Sequence, residues 1–189
     1  MSKEIELKFR LEESKIPDVM LDAWLSSFFV SDFHELRMES TYFDTPARVL
    51  QDARITFRMR KENEETRFTV KTPRGEHERG EWEVSAETID EALPALASLG
   101  APTLPPPPYI PCATARFLRR MTRISVSEQT EFELCIDVGT LGTLPFCELE
   151  LELKRGTKAE LEAFGALLAT RFSLVPESRS KFARAKLSQ

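Results

Sequence analysis

Glu4-Ile5-Glu6-Leu7-Lys8-Phe9-Arg10, near the start of the 189-residue chain, alternates charged and apolar side chains without a break. A period of two is typical of a β-strand, in which successive side chains point to opposite faces of the sheet. One face of this strand is charged, and the other, formed by Ile5, Leu7 and Phe9, requires a hydrophobic core. Taken alone, the pattern is that of a half-buried strand with a solvated polar face.

Six further stretches repeat this two-faced pattern, and in most of them the polar face is charged: 55–60, 67–71, 81–84, 116–126, 130–137 and 148–154. Residues 37–43 are predicted as another strand, which ends at the turn residues Asp44 and Pro46, and a glycine-bearing connecting loop is predicted over 73–80. Apolar residues at helical spacing predict helices over 16–28, 90–99 and 158–172, and a short basic helix follows Ser178. The chain is therefore expected to be an α+β protein rich in antiparallel strands.

The composition argues against several classes of protein. The net charge of −5 comes from 31 acidic and 26 basic residues, so the chain is not a basic nucleic-acid binder and we expect no nucleic-acid partner. Three cysteines that are far apart and two histidines favour neither a zinc site nor a disulfide framework. The N-terminus has no apolar signal core, and no apolar run approaches the roughly 20 residues of a membrane span. A soluble cytoplasmic protein without a membrane partner is the expectation.

A proline-dense stretch at 101–111 divides the chain near its middle. It is expected to be a stiff connection, because proline is excluded from helix interiors and inner strands. The length suits one domain, so we expect a single domain over 1–189 whose two halves are joined by this connection.

The charged faces of the predicted strands would lie together if the strands closed into a barrel with those faces inward. The basic set would be Lys8, Arg10, Arg58, Arg60, Arg67, Lys71, Arg119 and Arg123, and the acidic set Glu4, Glu6, Glu81, Glu83, Glu133, Asp137, Glu148, Glu150 and Glu152. Such an interior must be wet, because buried ions are costly unless they are paired, hydrated or bound to a ligand. The apolar faces would then point outward under the helices. An antiparallel sandwich with salt-bridged solvent faces fits the pattern equally well.

A hollow with segregated basic and acidic groups suits one class of ligand. Arginine and lysine bind phosphate oxygens, and clustered carboxylates hold Mg²⁺ or Mn²⁺, which bridge to phosphate. A linear polyphosphate satisfies both sets of groups. No constellation of serine, cysteine or histidine nucleophiles competes for this role in the sequence.

The stretch Glu4-Ile5-Glu6-Leu7-Lys8 resembles the ExExK signature of the CYTH superfamily, the triphosphate tunnel metalloenzymes. Matching segments follow in order over nearly the whole chain, at 42–45, 56–60, 69–71, 81–83, 132–137, 147–152 and 178–181. The segment from Cys147 to Leu153, with 178–181 after it, is most similar to the bacterial inorganic triphosphatases of this group.

This resemblance implies a fold, a metal and residue roles. The fold is an eight-stranded antiparallel closed β-barrel, a tunnel with a charged interior and helices packed on its outside. The metal is Mg²⁺ or Mn²⁺, and its implied ligands are Glu4, Glu6, Glu148 and Glu150. The implied phosphate-binding residues are Lys8, Arg58, Arg60, Lys71, Arg119 and Lys181. The implied catalytic residues are Glu4, Glu6 and Lys8, with Glu133 and Asp137 as further ligands or water-orienting groups.

The implied function is metal-dependent hydrolysis of a small-molecule triphosphate, first of all of inorganic triphosphate to pyrophosphate and phosphate. Adenylate cyclisation and thiamine triphosphate hydrolysis are alternatives within the superfamily, and a non-catalytic polyphosphate- or nucleotide-binding module is a third. The sequence leaves open whether Glu152 replaces Glu148 or Glu150 as a ligand, and whether the protein is a homodimer. It also leaves open which arginines of the sixth strand face the tunnel, the candidates being Arg116, Arg119, Arg120 and Arg123.

Overall fold

The strands and helices of this protein were obtained from a computed structural model that describes residues 2–75 and 77–186. The strands are β1 (Ser2–Arg10), β2 (His34–Asp44), β3 (Thr56–Glu62), β4 (Glu65–Gly75), β5 (Glu78–Ser85), β6 (Ile110–Ser127), β7 (Thr130–Leu141), β8 (Leu144–Arg155) and β9 (Val175–Pro176). The helices are α1 (Ile16–Met20), α2 (Ala23–Ser26), α3 (Val49–Asp52), α4 (Ile89–Ser98), α5 (Lys158–Phe172) and α6 (Lys181–Ala185), with a 3₁₀ turn at Glu13–Lys15.

Eight of these strands close into an antiparallel barrel in the order β1-β5-β4-β3-β2-β6-β7-β8. Closure depends on β1, which divides its length between two neighbours. Its residues Ser2 to Ile5 pair with β5, and Glu6 to Arg10 pair with β8. The short β9 pairs with the end of β1, at Phe9 and Arg10. The predicted closed barrel of eight antiparallel strands is therefore confirmed.

Most of the hydrophobic core lies outside the barrel, between the strands and the helices, and a smaller cluster that includes Tyr42 and Phe117 lies on the cavity side next to α6. Leu7 on β1 packs in one cluster with Leu161, Phe164 and Leu168 of α5. A side chain at Gly165 of the same helix would place its Cβ 2.4 Å from Leu7 Cδ1, so the absence of a side chain allows this close approach. A second cluster places α4 against β3, β4 and β5. The apolar faces of the strands therefore point outward, as the inward placement of the charged faces requires.

The helix predicted over 16–28 is two short helices instead. Leu21, one of the apolar residues at helical spacing within 16–28, is 82% exposed. Asp22 follows, and its side chain accepts a hydrogen bond from the Leu25 N–H at 2.8 Å, so it caps a new helix. Asp22 also forms an ion pair with Arg171 of α5 at 2.7 Å. A local cap and a tertiary contact thus override the apolar spacing.

Two predicted loops are shorter than expected. The proline-dense segment ends at Tyr109, and β6 begins at Ile110 and includes Pro111. Pro111 is tolerated because it pairs only with β2, whereas the pairing of β6 with β7 starts at Ala115. The connection predicted over 73–80 is likewise mostly strand, since β4 runs to Gly75 and β5 begins at Glu78.

Within the described ranges 2–75 and 77–186, no helix has the length and apolar character needed to cross a membrane.

Candidate active site

The barrel encloses a charged cavity of about 70 Å³. Its lining includes seven basic side chains, Lys8, Arg58, Arg60, Lys71, Arg79, Arg119 and Lys181, and four acidic ones, Glu4, Glu6, Glu150 and Glu152. The period of two along the strands explains this lining, because it directs each charged residue to the inner face. The volume suffices for roughly five water molecules, so the interior is a polar hollow into which the charged faces converge.

The basic wall is formed by β3, β4 and β6. Arg58 Nη2 donates to Thr69 Oγ1 at 2.9 Å, and Arg60 Nε donates to Ser40 Oγ at 3.0 Å. The carboxylate oxygens that pair with these two guanidinium groups are 3.7 Å away. Burial, together with the nearby charges of Arg58 and Arg119, lowers the pKa of Arg60 to about 10. Arg58 and Arg60 are therefore crowded, weakly neutralised cations, and this environment favours the binding of an anion.

The acidic side is formed by β1 and β8, which pair antiparallel so that Glu6 is opposite Glu152 and Lys8 is opposite Glu150. Lys8 donates to Glu6 at 2.5 Å. Burial raises the pKa of Glu152 to about 7, and Lys154 opposes the rise. The pairing of the two strands thus brings two acidic sequence motifs side by side.

Lys71 on β4 reaches across to the acidic side and lies 2.6 Å from Glu4. Burial alone would lower the pKa of Lys71, but the carboxylates of Glu4 and Glu81 raise it overall. The lysine therefore stays charged in the tunnel and links the basic wall to the acidic one.

Helix α6 inserts a lysine into a carboxylate cluster at the other side of the cavity. Asp137, Glu148 and Glu150 each offer an oxygen, and these atoms lie within 4.8 Å of one another, so the cluster could hold a metal ion. Lys181 Nζ lies 2.8 Å from Asp137 and 2.7 Å from Glu150, and it also contacts Glu148. Arg184, one turn further along α6, contacts the second oxygen of Glu148.

The charges of this cluster compensate one another strongly. Although burial favours its protonated form, the nearby Lys181 and Arg119 hold the pKa of Glu150 well below its ordinary value. The three carboxylates raise the pKa of Lys181 against the effect of burial. Burial raises the pKa of Glu148, which is fully inaccessible to solvent. The ammonium group of Lys181 therefore lies among the three carboxylates that could otherwise hold a metal ion.

The cavity-facing carboxylates of β8 are Glu150 and Glu152. Glu148 does not belong to the cavity lining and lies beneath α6. Our prediction favoured Glu148 and Glu150 as ligands, and the roles of all three residues stay predictions. Of the four arginines left open on β6, Arg119 lines the cavity, where it donates to Asp137 at 2.8 Å and to Glu150 at 2.6 Å. Arg116 is on the outer surface, with its side chain 73% exposed.

Some residues of the proposed inward set lie elsewhere. Arg10 is 59% exposed and pairs with Glu177, and Arg123 is 55% exposed and pairs with Glu131, so their placement in the hollow was wrong. Both are near strand ends, where the barrel opens to solvent. Glu133 pairs with Lys154 at 3.3 Å and does not belong to the cavity lining, and its predicted catalytic role stays a prediction.

Two residues of the site were missed. Arg79 lines the cavity and stands opposite Glu4 in the β1–β5 pairing. It extends the alternation of Glu81 and Glu83 by two residues, but the stretch before Glu81 was interpreted as a loop. Arg184 lies three residues after Lys181, a spacing that places both on one face of a helix.

Comparisons with known proteins agree with this architecture. Residues 2–185 match the CYTH domain. The inorganic triphosphatase of Haemophilus influenzae is 28% identical over an alignment of 199 positions, and the alignment covers 99% of this chain and 55% of that protein. The chain thus spans about half the length of this curated relative.

Solved structures share the fold at low sequence identity. A candidate adenylate cyclase from Bacillus halodurans superposes with a TM-score of 0.65 at 17% identity and covers 97% of this chain and 98% of that chain. A Hippeastrum protein, described as a candidate adenylyl cyclase with a dominant triphosphatase activity, superposes with a TM-score of 0.61 at 17% identity over 98% of this chain and 96% of that chain. At such identities the likeness shows the fold alone. The match that extends over residues 2–185 shows that the chain belongs to the CYTH domain family.

Proposed function

We propose that this protein is a divalent-metal-dependent hydrolase that converts inorganic triphosphate to pyrophosphate and phosphate. The observation that carries the proposal is the opposition of two walls across one small cavity, a basic wall at Arg58, Arg60 and Arg119 and an acidic side at Glu4 and Glu6. A linear triphosphate needs both, since its charge must be neutralised before a nucleophile can approach phosphorus. The Haemophilus influenzae relative supports the choice of inorganic triphosphate.

The acidic side fits a divalent metal such as Mg²⁺ or Mn²⁺, because these ions take oxygen ligands and carboxylates line this part of the cavity. Glu4, Glu6 and Glu150 would hold the ion, with Glu152 beside them. Once bound, the ion would neutralise phosphate charge and lower the pKa of a bound water. Glu148 contacts both Lys181 and Arg184 and would therefore hold α6 in place. It would join the ligands of the ion only if Lys181 left the cluster.

The other charged residues bind and orient the substrate. Arg58 and Arg60 would bind phosphate oxygens through guanidinium N–H groups that no carboxylate closely neutralises. Lys8, Lys71, Arg119 and Lys181 would exchange their present carboxylate partners for phosphate oxygens. Glu152, which lines the cavity beside these carboxylates and opposite Glu6 on β1, would accept a proton from the attacking water.

One assay tests the proposal. The protein is incubated with inorganic triphosphate, ATP or thiamine triphosphate in the presence of Mg²⁺, Mn²⁺ or a chelator, and the products are identified. We expect phosphate and pyrophosphate from inorganic triphosphate, and no turnover with chelator. A cyclic nucleotide from ATP, or faster hydrolysis of thiamine triphosphate, would replace the proposal by the corresponding activity. Tight binding of triphosphate without any product would identify a binding module.

A further inference from the structure

A second cavity of about 470 Å³ opens directly from the tunnel. We call it the vestibule. The two cavities share wall residues, among them Lys8, Lys71, Arg79 and Phe182. A chain of phosphates held in the tunnel can therefore continue into the vestibule without leaving the protein surface.

The vestibule is basic. Five basic residues line it, Lys8, Arg54, Lys71, Arg79 and Lys186, against the three acidic residues Glu6, Glu78 and Glu177. Each of these carboxylates has a cation of its own: Glu6 pairs with Lys8 at 2.5 Å, Glu78 with Lys3 at 3.1 Å and Glu177 with Arg179 at 3.0 Å. Lys71 pairs with Glu4 at 2.6 Å, so the vestibule cations that these carboxylates leave uncompensated include Arg54 and Arg79.

Arg54 and Arg79 have no carboxylate within ion-pair distance among residues 2–75 and 77–186. The other basic residues of the tunnel lining all have such partners. Arg79 lines both cavities, whereas Arg54 is exposed and lines the vestibule but not the tunnel. Two guanidinium groups without carboxylate partners, one lining both cavities and one lining the vestibule, favour the binding of an extended anion.

The phenyl ring that lines the vestibule, Phe182, already contacts two other side chains. Phe182 stacks on Tyr42 at a centroid distance of 5.0 Å, and Lys186 Nζ lies over the Phe182 ring at 5.3 Å. A purine or a thiazolium ring would need an open aromatic face, and a cationic ring would also be repelled by the lysine. The lining therefore suits further phosphate groups better than a base.

We propose that the vestibule binds the phosphate groups of a linear inorganic polyphosphate beyond the three that the tunnel holds, with Arg79 and Arg54 as its binding residues. This inference rests on the proposed function and deepens it: the substrate class includes inorganic chains of four or more phosphates, which enter the tunnel by one end while the rest of the chain lies in the vestibule.

The test is a comparison of affinities for inorganic triphosphate and inorganic tetraphosphate by calorimetry, with a chelator present so that no turnover occurs. The wild-type protein is expected to bind tetraphosphate more tightly. In Arg54→Gln the ratio of the two affinities is expected to fall by roughly two- to fivefold, the range of one partly exposed charge pair. Arg79→Gln is expected to weaken both ligands, because Arg79 faces both cavities.

Arg48→Gln is the matched control. Arg48 is also an exposed arginine with a left-handed backbone, with a φ of 59° against 56° for Arg54, and it does not line the vestibule. The same loss of charge there should leave the ratio unchanged. Unfolding curves of all three variants establish that each is folded.

An affinity ratio that does not respond to Arg54→Gln would overturn the inference, and so would an equal response to Arg48→Gln. A larger loss of affinity for ATP than for tetraphosphate in Arg54→Gln would also overturn it, since the vestibule would then serve a nucleoside. Absence of triphosphate hydrolysis in the earlier assay, with the ratio still responding, would reject the proposed activity and leave the vestibule as a polyphosphate-binding site.

Discussion

Burial of Arg60 among like charges destabilises the folded protein without ligand and thereby favours the binding of an anion. Arg60 is 7% exposed, and burial with the charges of Arg58 and Arg119 lowers its pKa to about 10. A lowered pKa for a base means that the charged form is disfavoured in the folded state, and at neutral pH this penalty is fully present. A substrate phosphate would relieve it.

Arg60→Met removes this repulsion and keeps most of the side-chain volume. We expect the free energy of unfolding to be unchanged or to rise by about 1 kcal/mol, because the relieved repulsion is partly offset by the lost bond to Ser40. The affinity for triphosphate should fall by roughly tenfold or more. Urea unfolding and calorimetry measure the two effects. A loss of stability with unchanged affinity would contradict this account.

Glu177 stabilises the segment that leads into α6. Hydrogen bonds from Arg179 lower the pKa of Glu177 to about 2, and its backbone N–H donates to Lys8 O at 2.8 Å. A carboxyl whose pKa is lower in the folded state contributes stability above its unfolded pKa of about 4.3, and that contribution is lost as the pH falls through about 2.

Glu177→Gln should therefore lower the free energy of unfolding by about 1–3 kcal/mol at pH 7. The difference from the wild type should shrink steadily between pH 5 and pH 2, which urea unfolding at several pH values would measure. Glu162→Gln, on the exposed face of α5, is the control and should have little effect at any pH. A deficit of the same size at pH 3 would show that the charge of Glu177 is not the cause.

At the scale of the element, α6 is a short helix that depends on its charged anchors. Ser180 caps it by accepting a hydrogen bond from the Ala183 N–H at 3.1 Å. Lys181 and Arg184 then pair with a carboxylate cluster in which Asp137 and Glu148 are completely buried. A helix of five residues is not stable alone, so these ion pairs and the contact of Phe182 with Tyr42 hold it on the barrel.

Lys181→Ala leaves the three carboxylates without their shared ammonium group. We expect a loss of about 3–5 kcal/mol in the free energy of unfolding, the usual cost of removing one partner of a buried ion pair. Because the oxygens of Asp137, Glu148 and Glu150 lie within 4.8 Å of one another, added Mg²⁺ or Mn²⁺ should restore part of this stability. Thermal unfolding with and without the ion measures the effect.

The control for this experiment is Lys158→Ala on the surface of α5. Its melting temperature should change little and should respond to Mg²⁺ as the wild type does. If Mg²⁺ raises the melting temperature of Lys181→Ala by no more than that of the wild type, the ammonium group and the metal do not compete for the cluster.

At the scale of the whole molecule, the barrel is inverted relative to a small barrel whose interior is filled by apolar side chains. Its helices cover apolar outer faces, and among the described residues 2–75 and 77–186 seven basic and four acidic side chains line its interior cavity. An interior with an excess of positive charge is stabilised by a bound anion, and this stabilisation links ligand concentration to the unfolding of the entire barrel.

Inorganic triphosphate should therefore raise the melting temperature of the wild-type protein even when a chelator removes all divalent metal. The gain should correspond to about 2.7 kcal/mol when the ligand is at one hundred times its dissociation constant, and it should decrease as salt is added. Sodium chloride at matched ionic strength is the control. An unchanged melting temperature across the whole range of triphosphate concentrations would mean that the tunnel does not bind the anion.

The sequence by itself determined the two-faced strands, the acidic and basic character of their inner faces, and the resemblance to one family. These features are local, because a strand's period of two is visible without knowing its neighbours. Even Arg79 continues a pattern that was present in the sequence at Glu81 and Glu83.

Only the tertiary structure decided which charged residues meet in the cavity and with which partners. Register placed Glu6 beside Glu152 and set Arg119, not Arg116, on the inner face. The contact of Asp22 with Arg171 supports the break between α1 and α2, and α6 covers Glu148. These outcomes depend on strand pairing and barrel closure between segments that are far apart in the chain. The free energies of such pairing cannot be read from a local sequence pattern.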